Sequence, residues 1–161
     1  MSLPATPEQI KTVLDRAAQD LLTSGAVAGF TPQSRQSEWN LANHLAAAIE
    51  GYLPELQHDG DLIKPQAGRR RPDIVFHMRG THDFNYLVVE VKKDGSRRSI
   101  LLDIAKIKTY WFRGRLRYLF GAVMNLRSDN TAEIEVFRNR LGRETILRKR
   151  KFKLPARRGK R

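Results

Sequence analysis

The chain has no cysteine, which excludes disulfides, thiolate zinc sites and cysteine nucleophiles together. No apolar run approaches the roughly 20 residues that a membrane-spanning helix needs. The start, MSLPATPEQ, lacks a charged region followed by an apolar one. These absences predict a soluble, intracellular, cytoplasmic protein with no membrane partner. The glycine patterns of nucleotide-fuelled enzymes and the GxSxG of serine hydrolases are missing too, which argues against both chemistries. His44, His58, His77 and His82 show no ligand spacing such as HExxH, and there is no internal repeat.

Acidic residues are scarce relative to basic ones. Seventeen Asp and Glu face 30 Lys and Arg, for a formal charge of +13 over 161 residues. The excess is uneven: residues 1–63 carry −5, residues 64–139 carry +8 and residues 140–161 carry +10. A polyanion is the implied partner, because each cation that neutralises a phosphate releases condensed counterions. A 40% hydrophobic content suffices for one buried core at this length. The expected organisation is one domain over 1–139 and, from 140 to 161, a basic tail or one further strand with an arm.

Thr6, Pro7 and Gln9 have the form of a capping box and predict a helix over 7–24, with Ile10, Leu14, Ala17, Ala18 and Leu21 on one stripe. A second helix pattern runs from a cap at Ser37 through Leu41, Leu45, Ala46, Ile49 and Leu53 to Pro54. A weak strand follows around 56–63. PDIVFHM and FNYLVVEVKK then flank RGTHD as a hairpin. Ser96 or Ser99 caps a third helix, with Ile100, Leu101, Ile104, Ile107 and Trp111 on its apolar side. RYLFGAVMN and TAEIEVFRN around RSDN complete the pattern as two strands. This order describes an α/β or α+β sandwich, a mixed central sheet flanked by helices.

Chemistry concentrates on Asp73, Glu90 and Lys92. Side chains alternate along a strand, so Glu90 and Lys92 share a face. If the hairpin turn is centred between Thr81 and His82, Asp73 lies directly across from Glu90, and opposed side chains have Cβ atoms about 4.5–5.5 Å apart. Two facing carboxylates on apolar strands repel. A hard divalent cation such as Mg²⁺ would compensate them, and Lys92 adds a positive charge on the same face. The bland alternative is an edge strand whose charges are solvated.

Pro72-Asp73 followed by Glu90-Val91-Lys92 resembles the signature of the PD-(D/E)xK nuclease superfamily, the restriction endonuclease-like proteins. The resemblance covers residues 37–126 and implies a helix-strand-strand-strand-helix-strand core, here with an extra N-terminal helix. It implies a metal-dependent DNA endonuclease in which Asp73, Glu90 and the Val91 carbonyl hold Mg²⁺, with Mn²⁺ able to substitute, and in which Lys92 assists the attacking water. It further implies a glutamate from the first core helix, Glu38 or in reserve Glu50, and a polar residue from the helix after the motif, Asp103, Lys106 or Lys108. Arg69, Arg70, Arg71, Lys93, Lys106, Lys149, Arg150 and Lys151 are the expected nucleic-acid contacts, with DNA favoured over RNA and a homodimer favoured if both strands are cut. The alternative from another class is a non-cleaving nucleic-acid-binding module on the same fold. Tyr110, Trp111 and Phe112 suggest a stacking platform, but at helical spacing core packing is the stronger expectation.

Overall fold

The computed structural model describes residues 3–23, 36–60, 70–78, 85–113, 116–129 and 131–139. Helix α1 spans Pro7–Thr23 and α2 spans Gln36–Tyr52. Strands β1 (Leu56–Gly60), β2 (Ile74–Met78) and β3 (Asn85–Lys93) come next, then α3 (Arg97–Lys106) running into a π-helical turn at Ile107–Trp111, and strands β4 (Phe120–Leu126) and β5 (Ala132–Arg138).

The start of α1 is the expected capping box. Gln9 N–H donates to Thr6 Oγ1 at 3.3 Å, and Gln9 Oε1 accepts in return from Thr6 N–H at 3.3 Å and from Ala5 N–H at 2.8 Å. Ile10, Leu14, Ala17, Ala18 and Leu21 are buried along one stripe. Helix α2 begins at Gln36, so Ser37 sits in its first turn and not at the cap position. Ser96 is the N-cap of α3, accepting from Ser99 N–H.

The five strands form one sheet in the order β1-β2-β3-β4-β5. All neighbours are antiparallel except β3 and β4, which are parallel. A parallel pair cannot be joined by a tight turn, and α3 with its π-helical turn supplies the crossover. The sheet is therefore mixed, with helices on both sides, in the α+β class. The segment YLVVEVKK lies between β2 and β4, central and not at an edge.

Strand alternation divides the core in two. Ile74, Phe76, Leu87, Val89, Val91, Phe120, Ala122 and Met124 pack with α1 and α2. On the other face Val75, Val88 and Val123 meet Ile100, Ile107, Trp111, Phe112 and Tyr118. Gly121 lets the crossover lie close on the sheet: a Cβ there would stand 2.6 Å from Ile107 Cγ2 and 2.7 Å from Phe137 Cε2. The crossover departs from the expected stripe in one respect. Its buried positions are Ile100, Asp103, Ile107 and Trp111, while Leu101 is half exposed at 50%, because the inward positions advance by three, four and four residues and Leu101 falls beside that line. Phe112 N–H bonds Ile107 C=O at 3.0 Å, a five-residue step that widens the last turn.

Candidate active site on the crossover face

The β2/β3 register pairs Ile74 with Val89, Val75 with Val88 and Phe76 with Leu87. Continued by one step, this register puts Asp73 level with Glu90, although the paired residues end at Ile74 and the alignment arises from a register shift and not from the expected turn centre. At the far end the register shifts between Phe76 and His77, so that His77 pairs with Asn85; the loop containing Thr81 and His82 lies outside the described residues. The β2/β3 ladder stops at Ile74. The Val91 N–H, which a longer β2 would meet with its main chain, donates instead to Asp73 Oδ2 at 2.7 Å. Since the N–H and C=O of one strand residue point to the same side, the Val91 carbonyl is also directed to the side where Asp73 stands.

Glu90 is 1% exposed, which rules out a solvated edge. It points at the crossover, and both its oxygens are engaged: Lys106 Nζ donates to Oε2 at 2.7 Å and Trp111 Nε1–H to Oε1 at 3.1 Å. Burial pushes the Glu90 carboxyl up to about 8, the Asp73 charge adds to the shift, and Lys106 opposes it without cancelling it. Burial also raises Asp73, against the pull of the Val91 N–H, Lys106 and Lys92.

Lys92 shares the face with Glu90 and pairs with Asp103 at 3.3 Å. Asp103 is itself buried, at 8% exposure. Asp103 and Lys106 stand about one helical turn apart on α3 and take the opposite-sign partners Lys92 and Glu90 on β3. Of the three polar candidates on this helix the structure thus brings in two. Lys108 is exposed and lies over the Phe137 ring at 5.6 Å.

The cluster has three carboxylates (Asp73, Glu90, Asp103) and two ammoniums (Lys92, Lys106); the one negative charge in excess is taken up by a proton below about pH 8, the raised Glu90 value, and a bound cation would take that proton's place. Among the described residues no group of three or more His, Cys, Asp or Glu is placed to hold a metal ion; the available donors are two carboxylates and one main-chain carbonyl. Hard oxygen donors with unbalanced, desolvated negative charge are the chemistry that suits a small divalent cation, which typically takes one or two carboxylates and completes its shell with water and phosphate oxygens. The donor set fits that ion.

Other candidates fall elsewhere. The Glu38 side chain, Arg69, Lys149, Arg150 and Lys151 lie outside the described residues. Glu50 bonds His58 Nδ1, and His58 pairs with Phe76, on the sheet face away from Glu90. Arg70 is exposed and stacks on Tyr110, with its guanidinium carbon 3.6 Å from the ring centre and Nη2 donating to the hydroxyl at 2.9 Å. Arg71 is exposed and Lys93 half-buried. Trp111 and Phe112 are core residues, as helical spacing implied. His77 is buried near the other end of β2, its Nδ1 2.9 Å from Asn85 Oδ1 and its Nε2 3.3 Å from Asp59. Sequence reasoning missed the Trp111 indole as a Glu90 partner; its only signal was a tryptophan five residues after Lys106.

No helix among the described residues is long and apolar enough to cross a membrane. No family model matches the chain and no curated protein matches it. Among solved structures, one titled "Crystal structure of SSO0001" aligns with a TM-score of 0.42 at 14% identity, over 86% of this chain and 70% of that one.

Proposed function

We propose that the protein is a metal-dependent DNA endonuclease of the PD-(D/E)xK kind. The observation that carries this reading is the Asp73 carboxylate beside Glu90, its Oδ2 accepting the Val91 N–H, with Lys92 on the Glu90 face of a central strand. Support comes also from the order of elements after α1, helix-strand-strand-strand-helix-strand with the last two core strands parallel.

Asp73, Glu90 and the Val91 carbonyl would hold Mg²⁺ or Mn²⁺. Such a cation, when bound, polarises a phosphate oxygen and lowers the pKa of a coordinated water. The chain's own residues do the rest. Lys92 Nζ, on a side chain 26% exposed, donates to the attacking water or to the scissile phosphate and offsets charge that develops there. Asp103 fixes the Lys92 ammonium from the helix side. Arg70 and Arg71, just before Pro72, would stand at the mouth of the site, where a phosphate backbone can pass.

Purified protein incubated with duplex, branched and single-stranded DNA is expected to cleave at least one of them when Mg²⁺ or Mn²⁺ is present and to stop when the cation is chelated. Asp73→Ala and Lys92→Ala should each lower the rate by about 10²-fold or more, the scale seen when one preorganised transition-state contact is removed. Cleavage that persists unchanged in both variants would sink the assignment.

A second reading is a nucleic-acid-binding module that does not cut. What favours it is that both Glu90 oxygens and the Lys92 ammonium already have protein partners. It predicts binding that weakens steeply with salt and needs no metal. Calorimetric titration with Mn²⁺ separates the two, since only the nuclease must bind the cation.

A further inference from the structure

Any cation that coordinates Glu90 meets an ammonium already there. Lys106 Nζ lies 2.7 Å from Oε2, and the second oxygen accepts the Trp111 indole N–H. Two positive groups at one buried carboxylate repel each other strongly, because little water lies between them to screen the interaction. The exposures of the partners differ in a telling way: the Lys106 side chain is 28% exposed and that of Glu90 is 1% exposed. The ammonium therefore has a way out to solvent, whereas the carboxylate cannot follow it. Lys92 is held on a different carboxylate, Asp103, so departure of Lys106 leaves Lys92 where it is.

We propose that Lys106 is the gate of the cation site: its ammonium and the divalent cation compete for Glu90, and cation binding releases Lys106 outward, where it adds a positive charge facing the polyanion. The gate rests on the nuclease reading and extends it by an order of events, cation first and full grip on the nucleic acid second. Lys106 is here a positioning residue, acting through Glu90. Its place at the junction of α3 and the π-helical turn suits the role, since Trp111 retains a hydrogen bond to Glu90 from the same crossover and keeps the carboxylate oriented after the lysine has left.

The test uses the full chain and Mn²⁺ alone, titrated calorimetrically at one pH into the natural protein, Lys106→Met and Lys106→Gln. With the titration run above the pH at which Glu90 ionises, about 8 in the natural protein, both variants are expected to bind Mn²⁺ about tenfold more tightly, as removal of a competing like charge at short range implies. A purely structural lysine predicts no gain. In parallel, the natural protein is acetylated at its amines with and without Mn²⁺ and Lys106 is followed by peptide mass spectrometry, with exposed Lys108 as the control. Mn²⁺ is expected to raise labelling of Lys106 and not of Lys108; this arm decides the matter if either variant fails to fold. Binding by the natural protein with no gain in the variants, or with no rise in Lys106 labelling, overturns the gate and leaves the nuclease reading standing. Binding by the variants alone supports the gate and overturns the nuclease reading for the natural chain. Binding by none of the three overturns both.

Discussion

Glu90 is a carboxylate on which three opposing influences act at once. Burial and the facing Asp73 raise its pKa to about 8, and Lys106 with its hydrogen bond pulls it down. The folded chain thus keeps a proton on this group that the unfolded chain gives up in the ordinary glutamate range. Stability from Glu90 is fully present below that range, is lost as pH rises through it towards about 8, and levels off above. Asp73 is shifted in the same direction and adds to the slope. Glu90→Gln keeps the shape and removes the titration, so thermal midpoints measured across roughly pH 5 to 9 with a chelator present should decline less steeply than in the natural protein. An unchanged slope would place the buried charge elsewhere. Trp111→Phe removes the donor to Oε1 and leaves a buried acceptor short of a partner, at a cost of about 1–3 kcal/mol in denaturant unfolding.

At the scale of elements, the decisive contact is between the crossover and the sheet. Asp103 and Lys106 on α3 answer Lys92 and Glu90 on β3 with reversed signs, which pins the helix in one register on the strand. Gly121 leaves room for Ile107, the residue after Lys106, to lie close on the sheet. Gly121→Ala is expected to force Ile107 and Phe137 aside and to cost about 1–3 kcal/mol by overpacking; an unaltered unfolding midpoint would refute that packing argument. Elements of this kind were largely legible beforehand. The capping box at Thr6, the stripe from Ile10 to Leu21 and the strands around Asp73 and Glu90 depend on local spacing, and local spacing is what a sequence displays. The π-helical turn and the exposure of Leu101 were not legible, because both depend on how the crossover settles on β4, a contact between distant parts of the chain.

For the whole molecule, the charge excess separates into parts with different roles. Residues 140–161 carry +10 of the +13, and their deletion should weaken DNA binding and flatten its dependence on salt, as fewer counterions are released. Mn²⁺ binding, set by β2, β3 and α3, should not change; a loss of cation affinity would tie the tail to the site. The sequence by itself determined the alternation of Glu90 and Lys92 to one face, the helical caps and the overall charge, since each follows from backbone period and residue type. It also indicated that Asp73 and Glu90 come close across adjacent strands, but not the register shift between Phe76 and His77 by which β2 and β3 reach that alignment. Only the tertiary structure decided which helix residues meet those charges: Asp103 and Lys106 are chosen over Lys108, and Glu50 is turned to the opposite face. Helical spacing alone leaves several polar residues equivalent. Packing of the crossover on a buried sheet makes them unequal, because a desolvated carboxylate is stable only beside the groups that reach it.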